Sequence, residues 1–211
     1  MSNQTNSQPR GEARKIETRG GINVRDLVNV AVFTVIYLII FFAFAMAGIV
    51  PVMAVFYPLP IALIASIPNA LFYTRGGKFG LVTIEGALLG LILFLTGMGG
   101  PLGLAAGIVC GLVADLIMRS GDYKSFSRTL VAHCIFNLWI LGTQAALWLQ
   151  RDAYLEPFRA SQGDAFIDST MALLSGPVFA VELVGVIACG AVGLVIGRAI
   201  LKKHFERAGV A

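Results

Sequence analysis

From residue 28 to residue 49 the chain reads VNVAVFTVIYLIIFFAFAMAGI, without one charged side chain. A helix that crosses a bilayer needs about 20 predominantly apolar residues, and this run supplies them. A secretory signal peptide has a shorter apolar stretch and then a small-residue cleavage site. Here the run is too long and leads into more of the same. Five further runs reach crossing length: residues 52–73, 79–97, 100–118, 127–149 and 171–201. Pro51 opens the second run, Pro58, Pro60 and Pro68 lie inside it, and Pro101 stands near the start of the fourth. The expected fold is an all-α membrane protein over residues 22–211, with six transmembrane helices in one bundle. Residues 1–21 are polar and basic and are expected to form a disordered tail. Residues 150–170 are the one long connection between spans, polar and able to hold a short surface helix.

Composition agrees. Of 211 residues, 57% are hydrophobic and 13% charged, and there are 24 glycines. Soluble domains carry about 25% charged residues, so a soluble enzyme, a disordered chain and a disulfide-stapled secreted domain are all excluded. The net charge of +4 resembles a nucleic-acid signal, but its distribution reads as membrane topology. Fourteen of the sixteen Lys and Arg residues fall in the tail through Arg25, the second-to-third and fourth-to-fifth connections, and the C-terminal end. Arg151 and Arg159 alone lie on the other side, among Asp152, Glu156, Asp164 and Asp168. Positive residues stay inside, so both termini are expected in the cytoplasm and residues 150–170 outside.

Small residues recur every four positions: Gly99, Gly103, Gly107 and Gly111; Gly185, Cys189, Gly193 and Gly197; and Gly86 with Gly90. That spacing gives a helix face where backbones approach closely, used either within the bundle or to dock another membrane subunit. Cys110, Cys134 and Cys189 lie in apolar runs without metal-ligand spacing and read as small buried residues.

Charges inside a membrane are candidates for function. Glu85 and Asp115 lie near the basic end, where they are expected to snorkel or to pair with Arg75, Lys78 or Arg119. Glu182 falls about eleven residues into the last run, roughly 16 Å deep, with no cation near it in sequence. His133 reads as a hydrogen-bonded packing residue. No HExxH, GxSxG or paired intramembrane aspartates occur. Gly77-Lys78 is not a P-loop, because the earlier glycine position is Phe72. No catalytic residue, metal site or cofactor is expected, and energy for uphill transport would have to come from outside the chain. The outer half is richer: Met46, Met53, Tyr57, Met98, Trp139, Gln144, Trp148, Arg151 and Glu182 are the expected lining of a small-molecule pocket, with Tyr154 close by.

Several stretches carry a family resemblance. They are Val24-Arg25-Asp26-Leu27-Val28-Asn29, Val32 to Tyr37, Tyr57-Pro58, Arg119-Ser120-Gly121-Asp122-Tyr123-Lys124-Ser125-Phe126, Phe136-Asn137-Leu138-Trp139, Arg151-Asp152-Ala153-Tyr154 and the tail Lys202 to Gly209. Together they resemble the Trep_Strep (MptD-type) family of S components of energy-coupling-factor transporters. The resemblance implies a six-helix subunit that captures a micronutrient from outside, haem first among the candidates. It also implies a transmembrane coupling protein and two ABC ATPases as partners, surrounding lipid, and no nucleic acid. The early Ala-xxx-Ala docking pattern of many S components is not kept, since Val35 stands four residues after Ala31. The competing expectations are a membrane-embedded enzyme or scaffold, and a stand-alone secondary transporter.

Overall fold

The computed structural model describes residues 21–207, and every regular element in them is helical. The tail expected over residues 1–21 lies outside them except for Gly21. The first helix, α1 (Val24–Ala45), starts at a reciprocal cap. The Asp26 amide donates to Asn23 Oδ1 at 3.0 Å, and the Asn23 amide donates to Asp26 Oδ2 at 2.9 Å. Lys78 closes the same corner, its Nζ 2.6 Å from Asp26. After α1 come a 3₁₀ turn (Met46–Ile49), α2 (Pro51–Phe56), α3 (Pro58–Arg75), α4 (Leu81–Leu95) and α5 (Gly100–Ser120). The chain continues as α6 (Phe126–Asn137), α7 (Trp139–Thr143), α8 (Ala145–Leu149), α9 (Arg151–Gln162), α10 (Asp164–Leu173) and α11 (Gly176–Arg207).

Among the described residues three helices are long and apolar enough to cross a membrane: Val24–Ile49, Gly100–Ser120 and Gly176–Lys203. The other expected spans are shorter or interrupted. Helix α4 has 15 residues. The second run breaks at Tyr57, because Pro58 and Pro60 have no N–H to give to the preceding turn. The fifth breaks at Leu138, with no proline or glycine to announce it, and at Gln144, two residues after Gly142.

Two boundaries move. The connection over residues 150–170 holds two helices, α9 and α10, turning at Gly163, whose φ of +80° suits glycine. Helix α10 also takes Met171, so the last long helix begins at Gly176 rather than 171. Pro177 sits in its first turn, where a missing N–H costs nothing.

The small-residue faces are spent inside the molecule. On the α4–α5 seam, a Cβ on Gly90 would stand 2.8 Å from the Leu104 Cα, and one on Gly111 2.8 Å from the Val82 carbonyl oxygen. Gly86 and Gly107 lie against each other's backbone. On the α3–α11 seam, a Cβ on Gly197 would meet Ala70 Cβ and the Ile67 carbonyl oxygen, each at 2.7 Å. Gly193 abuts the Leu63 carbonyl. These stripes therefore pack helices within the bundle, and the docking use expected as an alternative has no free glycine face on α5 or α11. What those helices turn outward is large and apolar, Val109, Leu112 and Leu116 on α5 and Val184, Val192 and Ile196 on α11, as suits surfaces facing acyl chains. The main core gathers Phe33, Tyr37, Phe41, Phe72, Phe136 and Trp139. A smaller one, Val55, Leu147, Leu155, Ile167 and Leu174, seats the α9–α10 hairpin on α2 and α8.

Candidate functional site: a cavity under the α9 hairpin

The breaks around Tyr57 and in the 3₁₀ turn splay the bundle at the end opposite the basic connections. A cavity of about 660 Å³ opens there. Its floor and sides are Phe41, Ala45 and Met46 at the end of α1, Tyr57 at the α2–α3 break, and Met98 in the α4–α5 turn. Its roof is one face of α9, Tyr154, Leu155, Phe158 and Gln162, with Phe166 from α10. Phe41 meets Tyr57 edge-on at 5.9 Å between ring centroids. Among the described residues no Asp, Glu, Lys, Arg or His is on the wall. The wall therefore offers apolar area, with polar atoms on Tyr57, Tyr154 and Gln162, which is the usual make-up of a small-molecule site.

Met46, Tyr57 and Met98 share this wall, and the remaining candidates have other places. Gln144 is fully inside, and its Nε2 donates to the Val55 carbonyl at 2.8 Å and reaches the Ala54 carbonyl at 3.4 Å. Pro58 has no N–H to give Ala54, four residues back, so Gln144 ties down the carbonyls at the proline break. Tyr57 is anchored too, its hydroxyl 3.0 Å from Thr143 Oγ1. Thr143 gives its own proton to Ile140 O at 2.6 Å, so the phenol is the donor of the pair. Trp139 lies in the main core, its indole N–H donating to Tyr37 Oη at 3.1 Å. Met53 is half-buried on α2, off the wall.

Arg151 spends its guanidinium on the Leu174 carbonyl at 2.8 Å, so it holds the α10–α11 turn rather than facing the cavity. Glu182 is fully buried off the wall, with both carboxyl oxygens lacking a hydrogen bond. The later start of α11 puts it six residues into the helix, about 9 Å by the helical rise, shallower than the sequence suggested. Trp148 meets Phe179 edge-on at 5.1 Å between ring centroids, and its indole N–H is also without a bond.

Of the roof residues, Tyr154 was placed beside the pocket from the sequence, and Leu155, Phe158 and Gln162 were missed. Tyr154, Leu155, Phe158 and Gln162 repeat at helical spacing, but they lie between charges in a segment read as polar connection. At the basic end the expected pairings also fail. Lys78 is taken by Asp26, and Arg119 sits 5.3 Å over the Phe79 ring. Asp115 instead accepts from the Thr83 amide at 2.8 Å and the Thr83 hydroxyl at 2.6 Å, while Glu85 is buried without a hydrogen-bond partner. His133 packs as expected, its Nδ1 2.7 Å from Tyr73 Oη and its Nε2 2.5 Å from Ser66 Oγ. Among the described residues no group of His, Cys, Asp and Glu is arranged to hold a metal ion.

Comparison with known proteins gives one result. The family model described as "Hypothetical bacterial integral membrane protein (Trep_Strep)" matches residues 24–207. No curated protein and no solved structure matches the chain. The match runs from the first turn of α1 to the last of α11, and the chain belongs to the Trep_Strep family of integral membrane proteins.

Proposed function

We propose that this chain is the ligand-capturing membrane subunit, the S component, of an energy-coupling-factor importer. The observation that carries the reading is the uncharged 660 Å³ cavity, closed by one amphipathic helix at the end away from the basic connections. In this reading six segments cross the cell membrane: α1, α2 with α3, α4, α5, α6 through α8, and α11. Both termini are cytoplasmic, and the α9 hairpin faces outside. The chain binds and does not catalyse. A transmembrane coupling protein and two ABC ATPases supply the work.

Haem is the first ligand to test. Aromatic rings and methyl groups suit a flat macrocycle, and the Met46 and Met98 thioethers and the Tyr57 and Tyr154 phenols are of types that ligate haem iron. With Arg151 engaged elsewhere, the propionates would project past α9 toward water.

The test is equilibrium titration of the purified full chain with haem, and with other cofactors and vitamin precursors, followed by absorbance. One ligand should saturate. Tyr154→Ala and Phe158→Ala should each weaken it at least tenfold, about 1.4 kcal/mol. Proteoliposomes with this chain alone should show no ATP-dependent uptake. Strong ATP-driven accumulation by the chain alone would overturn the subunit assignment. Unchanged affinity in both α9 variants would overturn the cavity.

A further inference from the structure

A second cavity, about 190 Å³, lies at the basic end, where the last turn of α3, the α5–α6 turn, the start of α6 and α11 meet. Among the described residues two cations line it, Lys124 from the turn and Arg198 from α11, and no carboxylate does. Three cations at this end have other duties. Lys78 holds Asp26, Arg119 covers Phe79, and Arg128 donates to the Ser120 carbonyl.

Arg198 is held differently. Its guanidinium carbon stands 3.8 Å from the Phe126 ring centroid. A guanidinium held over a ring face is anchored without a hydrogen bond, which leaves its N–H donors for an anionic acceptor. Phe126 also opens α6, whose N-cap residue Ser125 makes no side-chain cap. First-turn amides without a side-chain acceptor therefore lie beside the two cations. The rest of the wall includes Leu194 and Leu201. Leu194 and Leu201 flank Arg198 on the same face of α11, so alkyl surface lies directly beside the cation, which suits a phosphate ester that carries acyl chains at the membrane boundary.

We infer that this cavity binds the phosphate group of an anionic amphiphile, with a phospholipid headgroup as the source favoured by the apolar flank. Free phosphate shares the chemistry. The inference does not depend on what occupies the cavity under α9.

The full chain, purified in an uncharged detergent, is titrated separately with phosphatidylglycerol, phosphatidylcholine and inorganic phosphate, and its thermal unfolding midpoint is followed. Phosphatidylglycerol should raise the midpoint saturably and phosphatidylcholine should not. In the Lys124→Gln, Arg198→Gln double variant the half-saturating concentration should rise at least tenfold. Arg119→Gln and Lys203→Gln should titrate like the parent. Saturation by inorganic phosphate, lost in the same double variant, also supports the site and identifies a free anion as its occupant. No saturable shift with either probe overturns the inference, as does an equal loss in every basic variant, the mark of diffuse attraction. If the double variant does not fold, Lys124→Gln alone must weaken binding and Lys124→Arg must restore it; equal binding in both sinks the proposal.

Discussion

His133 and Glu182 are both fully buried polar side chains, yet they have different surroundings. His133 is fastened between Tyr73 and Ser66, with Asn137 3.0 Å from its Nε2. Truncating one member of a buried hydrogen-bonded set strands the others, at about 1–3 kcal/mol per group. His133→Ala should therefore lower the unfolding midpoint measurably while changing affinity at the α9 cavity less than twofold. Thermal unfolding and titration of the one variant check both halves. Gln144→Leu should destabilise by a similar amount, because the Val55 carbonyl loses its donor. An affinity loss larger than the stability loss would show that Gln144 touches ligand. Residue identity was legible for His133, since a lone histidine on an apolar helix reads as packing. It was not legible for Gln144, Trp139 or Arg151. Each is a ligand type by chemistry, and only the fold reveals that a proline break, a tyrosine hydroxyl and a helix C-terminus already use them.

Helices were legible where hydropathy is continuous. The 28–49 and 100–118 runs became α1 and α5 with ends shifted by a few residues. Legibility failed where a helix is interrupted without punctuation, as at Leu138, and was partial in α9, where a short surface helix was expected but its apolar face, hidden between charges, was not. That helix is tied to α10 by Arg159, which bridges Glu156 at 2.9 Å and also pairs with Asp164. All three side chains are exposed, and exposed pairs contribute little. Arg159→Ala should leave global stability within about 0.5 kcal/mol of the parent, as measured by denaturant unfolding. A loss several times larger would mean that the bridge holds the roof in place. On the seams the expectation reverses. Gly90→Leu has no room against Leu104 and should cost about 3 kcal/mol or more, and the check is loss of the folded fraction on size-exclusion chromatography.

At the scale of the whole molecule, the described cations Lys78, Arg119, Lys124 and Arg198 lie at the end of the bundle away from the cavity under α9. The topology remains a prediction with a direct check: in a cysteine-free background, Gln162→Cys should react with an impermeant thiol reagent added outside intact cells. Reaction only after permeabilisation would invert the protein. The glycine seams have a mechanical consequence. Where backbones touch, a helix pair cannot slide without passing carbonyl over carbonyl, so α4 with α5, and α3 with α11, each behave as a plank. Flexing is left to the short segments: the 3₁₀ turn, the Tyr57 joint, the breaks in α6 through α8, and the α9 hairpin. Hydrogen exchange should map that division, with slow amides along both planks in the presence or absence of ligand. Protection gained on binding should concentrate in residues 151–173.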